Sequence, residues 1–192
     1  MRDPRVEGAR LPRRAPLHRR CRLGRRDLRR RGQAPIPPVV RPAARVVILA
    51  PDDHILLQHV STKEGWDGWI TPGGGLEAGE NDVEAACREL YEEIGIDGLD
   101  VGKPIWTRRH IFTWNGVEYD QRETYFFVRL SERVEPAPTV DPSDFVSAGI
   151  VGQGWWSLDD LSGVMTAPRG LVALVRSLLA DGLPSEPIDV GE

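Results

Sequence analysis

Cysteine is nearly absent from this chain: Cys21 and Cys87 are the only two. No second thiol stands near either at the spacing of a zinc site or a redox pair. A disulfide scaffold is therefore excluded, and both are read as free thiols of a reducing compartment. Long apolar runs are missing as well, so nothing reads as a membrane span. The basic N-terminus lacks the apolar stretch and small-residue cleavage site of a secretory signal. Hydroxyl side chains are missing from it too, the first being Ser61 and Thr62, which disfavours a serine-rich mitochondrial leader. The expected location is the cytoplasm. No internal repeat is visible.

Charge is present but divided. Up to Gln33 there are thirteen arginines against three acids (Asp3, Glu7, Asp27), a balance of +10. The whole chain carries −4, so the remainder carries −14. An acidic body suits divalent cations and repels a nucleic-acid backbone. Residues 1–38 are mainly Arg, Pro, Gly and Ala without a steady period, and are expected to be disordered. Three readings compete for them. They form a solvated tail, a mis-assigned start with Val39 or Val40 as the true one, or a nucleic-acid-binding arm.

The texture changes near Ala43. Ala44–Ala50 reads as a buried strand, Pro51-Asp52-Asp53 as a turn and His54–Val60 as the paired strand. Trp66–Gly75 is a Gly- and Trp-rich loop with a short strand at Trp69-Ile70. A helix is predicted over Asn81–Ile94, stopped by Gly95. Asn115-Gly116 marks a hairpin between strands at about 103–114 and 117–130. Residues 132–154 read as a Pro-containing connection, and Trp155-Trp156 as a short strand followed by a turn capped by Ser157. A last helix is predicted from near Pro168 to Asp181, with Leu171, Leu174, Val175 and Leu178 as its apolar stripe. This order implies an α/β fold, a mixed sheet covered by helices on both faces. The domain is placed at 39–184, with a C-terminal tail at 185–192.

The chemistry concentrates in Arg88-Glu89-Leu90-Tyr91-Glu92-Glu93. At 100° per residue, Glu89, Glu92 and Glu93 fall within one sector of about 100°. The apolar set Val83, Ala86, Cys87, Leu90 and Ile94 occupies the neighbouring sector. Like charges at this spacing repel, and a hard divalent cation reverses the sign of that cost. Upstream, Gly73-Gly74-Gly75 lets backbone approach a ligand without side-chain obstruction. Glu80 and Asn81 stand at the start of the helix, where its dipole favours an acid.

Gly74, five residues, Glu80, seven residues, then Arg88-Glu89-Leu90-x-Glu92-Glu93-x-Gly95-Ile96 fits the Nudix box at every position. Average residue usage makes a chance match about 10⁻⁷ or rarer. Arg45–Leu49, Leu56-Leu57, Trp69–Gly74, Thr124–Phe127 and Trp155–Leu158 also resemble family segments, in family order. The resemblance spans about 40–184 and leaves the Arg-rich segment outside.

The resemblance implies a Nudix-type α/β/α sandwich. It also implies a hydrolase that cleaves the diphosphate linkage of a nucleoside diphosphate derivative, by water attack at phosphorus. Carried over residue by residue, Glu89, Glu92 and Glu93 bind Mg²⁺ (Mn²⁺ as substitute), with the Gly73 carbonyl and Glu80 as further ligands. Arg88 orients the glutamates. Glu89 and Glu93 are the box candidates for general base, and Glu123 is one from outside the box. Gly73, Gly74, Arg45 and Glu123 are assigned to substrate binding; Arg108 and Arg109 are candidates for phosphate contact or for exposed surface charge. The six tryptophans are candidates for base stacking or for packing, and His54, His59 and His110 receive no catalytic role. Position 112, where many ADP-ribose hydrolases carry proline, is Phe. The tyrosine of many diadenosine polyphosphate hydrolases is also missing from that region, and no coenzyme A or NADH-pyrophosphatase signature is visible. The expected partner is a nucleoside diphosphate-linked small molecule, with neither nucleic acid nor membrane. Oligomeric state is left open, a homodimer included. Two rivals stand beside this reading: a non-catalytic Nudix-fold nucleotide sensor, and an RNA-directed pyrophosphohydrolase that uses the basic segment.

Overall fold

A computed structural model of the protein describes residues 36–191. The expectations for residues 1–35, Cys21 included, lie outside the described residues. Strand β1 (Val39–Leu49) is the centre of the architecture, and its β-branched run explains why. Ala44, Val46 and Ile48 enter one apolar cluster, and Val47 and Leu49 enter another. This is the period-two division of a strand buried on both faces. The first cluster takes in Ala85, Ala86 and Leu90 from the box helix, the second Leu171, Val175 and Leu178 from the last helix. The α/β/α sandwich is thus built on a mixed sheet. Each fully buried aliphatic side chain in it contributes about 1.5–3 kcal/mol.

Along one edge β1 pairs in parallel with β6 (Val117–Arg129) from Val39 to Leu49. Along the other edge it changes partner. Leu49 faces Ile55 of β2 (Ile55–Ser61), but Ala43, Ala44 and Arg45 face Gly75, Gly74 and Gly73 of the short β4 (Gly73–Gly75). The glycine run therefore joins the sheet where β2 has left β1. Strand β3 (Asp67–Ile70) extends the sheet beyond β2. Beyond β6 lies β5 (Trp106–Trp114), joined to it by a turn in which Asn115 (φ 48°) and Gly116 (φ 79°) are both left-handed. That is the hairpin conformation which the Asn-Gly pair favours.

The box helix departs from expectation. Helix α1 covers Asp82–Glu89, and Leu90–Ile94 then forms a π-helical turn ending at Gly95 (φ 81°). Asn81 caps it in a reciprocal box: its side chain accepts from Val83 N and Glu84 N at 3.0 Å, and Glu84 accepts from Asn81 N at 2.9 Å. The wider turn shifts Glu92 and Glu93 from where uniform 100° spacing puts them, and such turns recur at functional sites. Val83, placed in the packing sector, is 42% exposed in the first turn.

Residues 132–154 are not a plain connection. They contain α2 (Pro142–Ala148), capped by Asp141, and most of β7 (Ile150–Trp156), which pairs with β2. The last helix, α3 (Leu171–Asp181), starts later than predicted because Gly170 is left-handed (φ 73°). Two-residue strands β8 (Thr166–Ala167) and β9 (Ile188–Asp189) complete the sheet. No helix among the described residues is long and apolar enough to cross a membrane.

Candidate active site

The site is assembled around the glycine run. Gly73 has φ 130°, and a Cβ there would overlap the Ala44 carbonyl. A Cβ on Gly74 would overlap the Glu89 carboxylate. The two glycines matter for different reasons: at the first the β1 backbone leaves no room for a Cβ, and at the second a Cβ would displace the Glu89 carboxylate. The Gly73 N–H donates to Glu93 Oε2 at 2.8 Å. Glu89 and Glu93 are each only 8% exposed. Burial raises the Glu89 carboxyl above its ordinary range. Burial, and then the charge of Glu89, push Glu93 up to about 8. Burial therefore disfavours the charged form of both acids, and for Glu93 the charge of Glu89 adds to it.

Arg88 is committed to their surroundings. Its Nε donates to Glu80 Oε1 at 2.7 Å and its Nη1 to Glu89 Oε1 and Glu92 Oε2, each at 2.9 Å. Its Nη2 donates to the Gly75 carbonyl at 3.0 Å. One guanidinium therefore ties the loop, the helix start and two box glutamates, a geometry that its planar fork permits. Glu80 is held below its ordinary range by the hydrogen bond from Arg88.

A second network lies behind the loop. Glu123 accepts from Arg45 Nε at 3.1 Å, Gln121 Nε2 at 2.7 Å, Arg108 Nη1 at 2.9 Å and the Tyr125 hydroxyl at 2.7 Å. Burial alone would raise its pKa, but Arg45 and Arg108 outweigh burial and hold it at about 2. A carboxylate with four partners and so little basicity acts as an anchor. Arg45 in turn donates to the carbonyls of Thr71 and Gly73. Arg41 donates to Gln121.

Among the described residues, no three His, Cys, Asp or Glu side chains are gathered as a metal cluster. Glu89 and Glu92 both accept from Arg88 Nη1, and the Gly73 carbonyl accepts from Arg45. The donors that best fit a hard divalent cation are Glu89 and Glu93, the two box carboxylates whose charged forms burial disfavours. One or two carboxylates, completed by water and substrate oxygens, are what Mg²⁺ takes. The pair opens on a cavity of about 710 Å³, which Arg41, Arg45, Gln58, Arg108 and His110 also line. Trp66, Phe112, Trp114 and Tyr119 line it as well.

The NUDIX domain family model matches residues 39–176. The chain belongs to this family. A Nudix hydrolase with this box resembles enzymes of several named activities. "Diphosphoinositol polyphosphate phosphohydrolase 3-alpha" of Mus musculus is 35% identical over 141 residues, covering 70% of this chain and 74% of its own. "RNA pyrophosphohydrolase" of Halorhodospira halophila is 38% identical over 69 residues, 36% of each chain. The crystal structure of the MutT NUDIX hydrolase from Burkholderia pseudomallei superimposes with a TM-score of 0.53 at 26% identity. That match covers 69% of this chain and 95% of the other.

In this Nudix hydrolase, Gly73, Gly74, Arg45, Glu123, Glu89 and Glu93 all border the cavity. Arg108 borders it too, whereas Arg109 pairs outside it with Asp120 at 2.7 Å. Of the tryptophans, Trp66 and Trp114 face the cavity, Trp106 is buried, and Trp69 packs edge-on to Trp156. Arg41, Gln58, Gln121 and Tyr125 escaped the sequence reading, and His110 was given no role. Arg41 had a signal, since it stands at two-residue steps from Arg45 along one strand. Gln58 had another, as a polar residue following the apolar Ile55–Leu57.

Proposed function

We propose that this Nudix hydrolase cleaves the diphosphate linkage of a nucleoside diphosphate derivative, with Mg²⁺, or Mn²⁺ in its place, held by Glu89 and Glu93. The observation that carries the reading is the buried pair itself. Two carboxylates with raised pKa values, side by side next to a glycine loop, are costly without a cation and useful with one. A cation bound there would neutralise charge on the phosphate oxygens and make the attacking water more acidic. Arg88 keeps the carboxylates aligned, and Arg45 holds the loop from behind. The water's proton passes to a box glutamate, Glu89 or Glu93.

The cavity wall favours a nucleotide over an inositol polyphosphate. Arg45 and Arg108 share the single carboxylate of Glu123, and Arg41 donates to the neutral amide of Gln121. Beside them the wall offers aromatic faces: His110, Phe112 and Tyr119 stack in series, with centroids 5.1 and 5.6 Å apart. Stacking a base on such a face is worth about 1–3 kcal/mol. The test is a panel of nucleoside diphosphate derivatives, a diphosphoinositol polyphosphate and 5′-triphosphorylated RNA, assayed with Mg²⁺ and Mn²⁺ and with products identified. Release of a nucleoside monophosphate is expected. Preferential turnover of the inositol compound would overturn the nucleotide assignment and leave the hydrolase assignment standing.

A further inference from the structure

Gln58 lies on β2 and is fully buried. Neither Oε1 nor Nε2 of its side-chain amide has a hydrogen-bond partner. Buried polar atoms in folded proteins are paired in the great majority of cases, so an orphaned amide calls for an explanation. Packing does not provide one, because leucine or methionine would fill the same space without a desolvation cost. Gln58 is one of the residues lining the cavity on which Glu89 and Glu93 open, with its amide atoms buried beneath the cavity surface. It stands beside Glu93, close enough to favour that group's charged form, without completing a hydrogen bond of ordinary geometry. Two other buried and unpartnered atoms, Arg108 Nε and His110 Nδ1, belong to residues lining the same cavity. Polar groups without a hydrogen bond, from β2 and β5, thus belong to residues around one cavity, as they do where a polar ligand completes them.

We propose that Gln58 is a substrate-contacting residue: its Nε2 donates to a phosphoryl oxygen of the bound diphosphate at the Glu93 end of the cavity. The proposal rests on the hydrolase reading above and adds to it a residue outside the box. It distinguishes a ligand contact from a packing role by opposite effects on stability and turnover.

The experiment compares wild type with Q58L, and with Q58M in case a branched side chain disturbs the strand. Three quantities are measured: thermal stability without ligand, the thermal shift given by inorganic pyrophosphate with Mg²⁺, and kcat/KM on the substrate the panel identifies. The expected result is unchanged or raised ligand-free stability, a smaller pyrophosphate shift and a roughly 10- to 100-fold loss in kcat/KM, the range for a lost hydrogen bond to a charged group. Wild-type kcat/KM in the variants overturns the proposal. So does a loss of stability that parallels the loss of activity. If wild type cleaves no diphosphate in the panel, the hydrolase reading fails and the pyrophosphate shift decides alone. A shift diminished in Q58L then upholds the contact, and a shift equal in both proteins, or absent from wild type, overturns it.

Discussion

Glu93 and Arg45 hold opposite polar groups of one residue: Glu93 accepts from the Gly73 N–H, and Arg45 donates to the Gly73 carbonyl. The glycine loop is thereby fixed between a carboxylate of the box and a guanidinium of the central strand. Glu123, on the neighbouring strand β6, accepts from Arg45 and fixes its position.

Replacing the carboxylates should separate chemistry from folding. E93Q and E89Q are each expected to fold and to lose about 10²–10⁴-fold in turnover, the range for removal of a positioned acid–base group. Circular dichroism and steady-state kinetics check this. Full turnover in both variants contradicts the catalytic assignment.

The two glycines should fail differently. G73A meets the β1 backbone in a strained conformation and is expected to cost roughly 3–5 kcal/mol, read by denaturant unfolding. G74A meets only the far end of the Glu89 side chain. Its stability should stay within about 1 kcal/mol of wild type while its turnover falls as in E89Q.

Stability of the metal-free protein should depend on pH in a defined window. Glu93, raised by burial and the Glu89 charge from 4.5 to about 8, binds its proton more tightly folded than unfolded. Stability therefore falls as pH rises between these values. His110, lowered by burial and by Arg108 from 6.5 to about 4, acts in the opposite direction below 6.5. From pH 6.5 to 8 Glu93 acts without opposition from His110, so the melting temperature should decline across that interval. The decline should flatten in E93Q. An unchanged slope in that variant contradicts the assignment.

Glu123 has the reverse sign. Burial raises its pKa, Arg45 and Arg108 lower it by more, and the balance places it at about 2 against an ordinary 4.5. Its contribution is complete above 4.5 and is lost as pH falls towards 2. E123Q leaves Arg45 and Arg108 buried without their counter-charge and should cost about 3–5 kcal/mol at neutral pH. Urea unfolding at pH 7 and pH 3 checks both statements.

Much of this architecture was legible because it is written in local patterns. The alternation of β1, the Asn115-Gly116 turn and the stripe of α3 each follow from a period or a dipeptide. The box fixed which acids meet the glycine loop. The π-helical turn was not legible, since no residue type encodes it. Helix α2 escaped because its seven residues are too few to establish a period. The Arg45–Glu123–Arg108–Tyr125 network was hidden for another reason: it joins residues that neighbour one another only once β1, β5 and β6 are paired.

The most direct test is calorimetric titration of Mn²⁺ into the metal-free protein near pH 7, in two buffers of different ionisation enthalpy. Glu93 carries a proton there before the cation arrives. Binding should therefore release roughly one proton in wild type and be abolished or severely weakened in E93Q. Binding with no proton release, or equal affinity in E93Q, would contradict the claim that the buried pair Glu89 and Glu93 exists to hold a divalent cation.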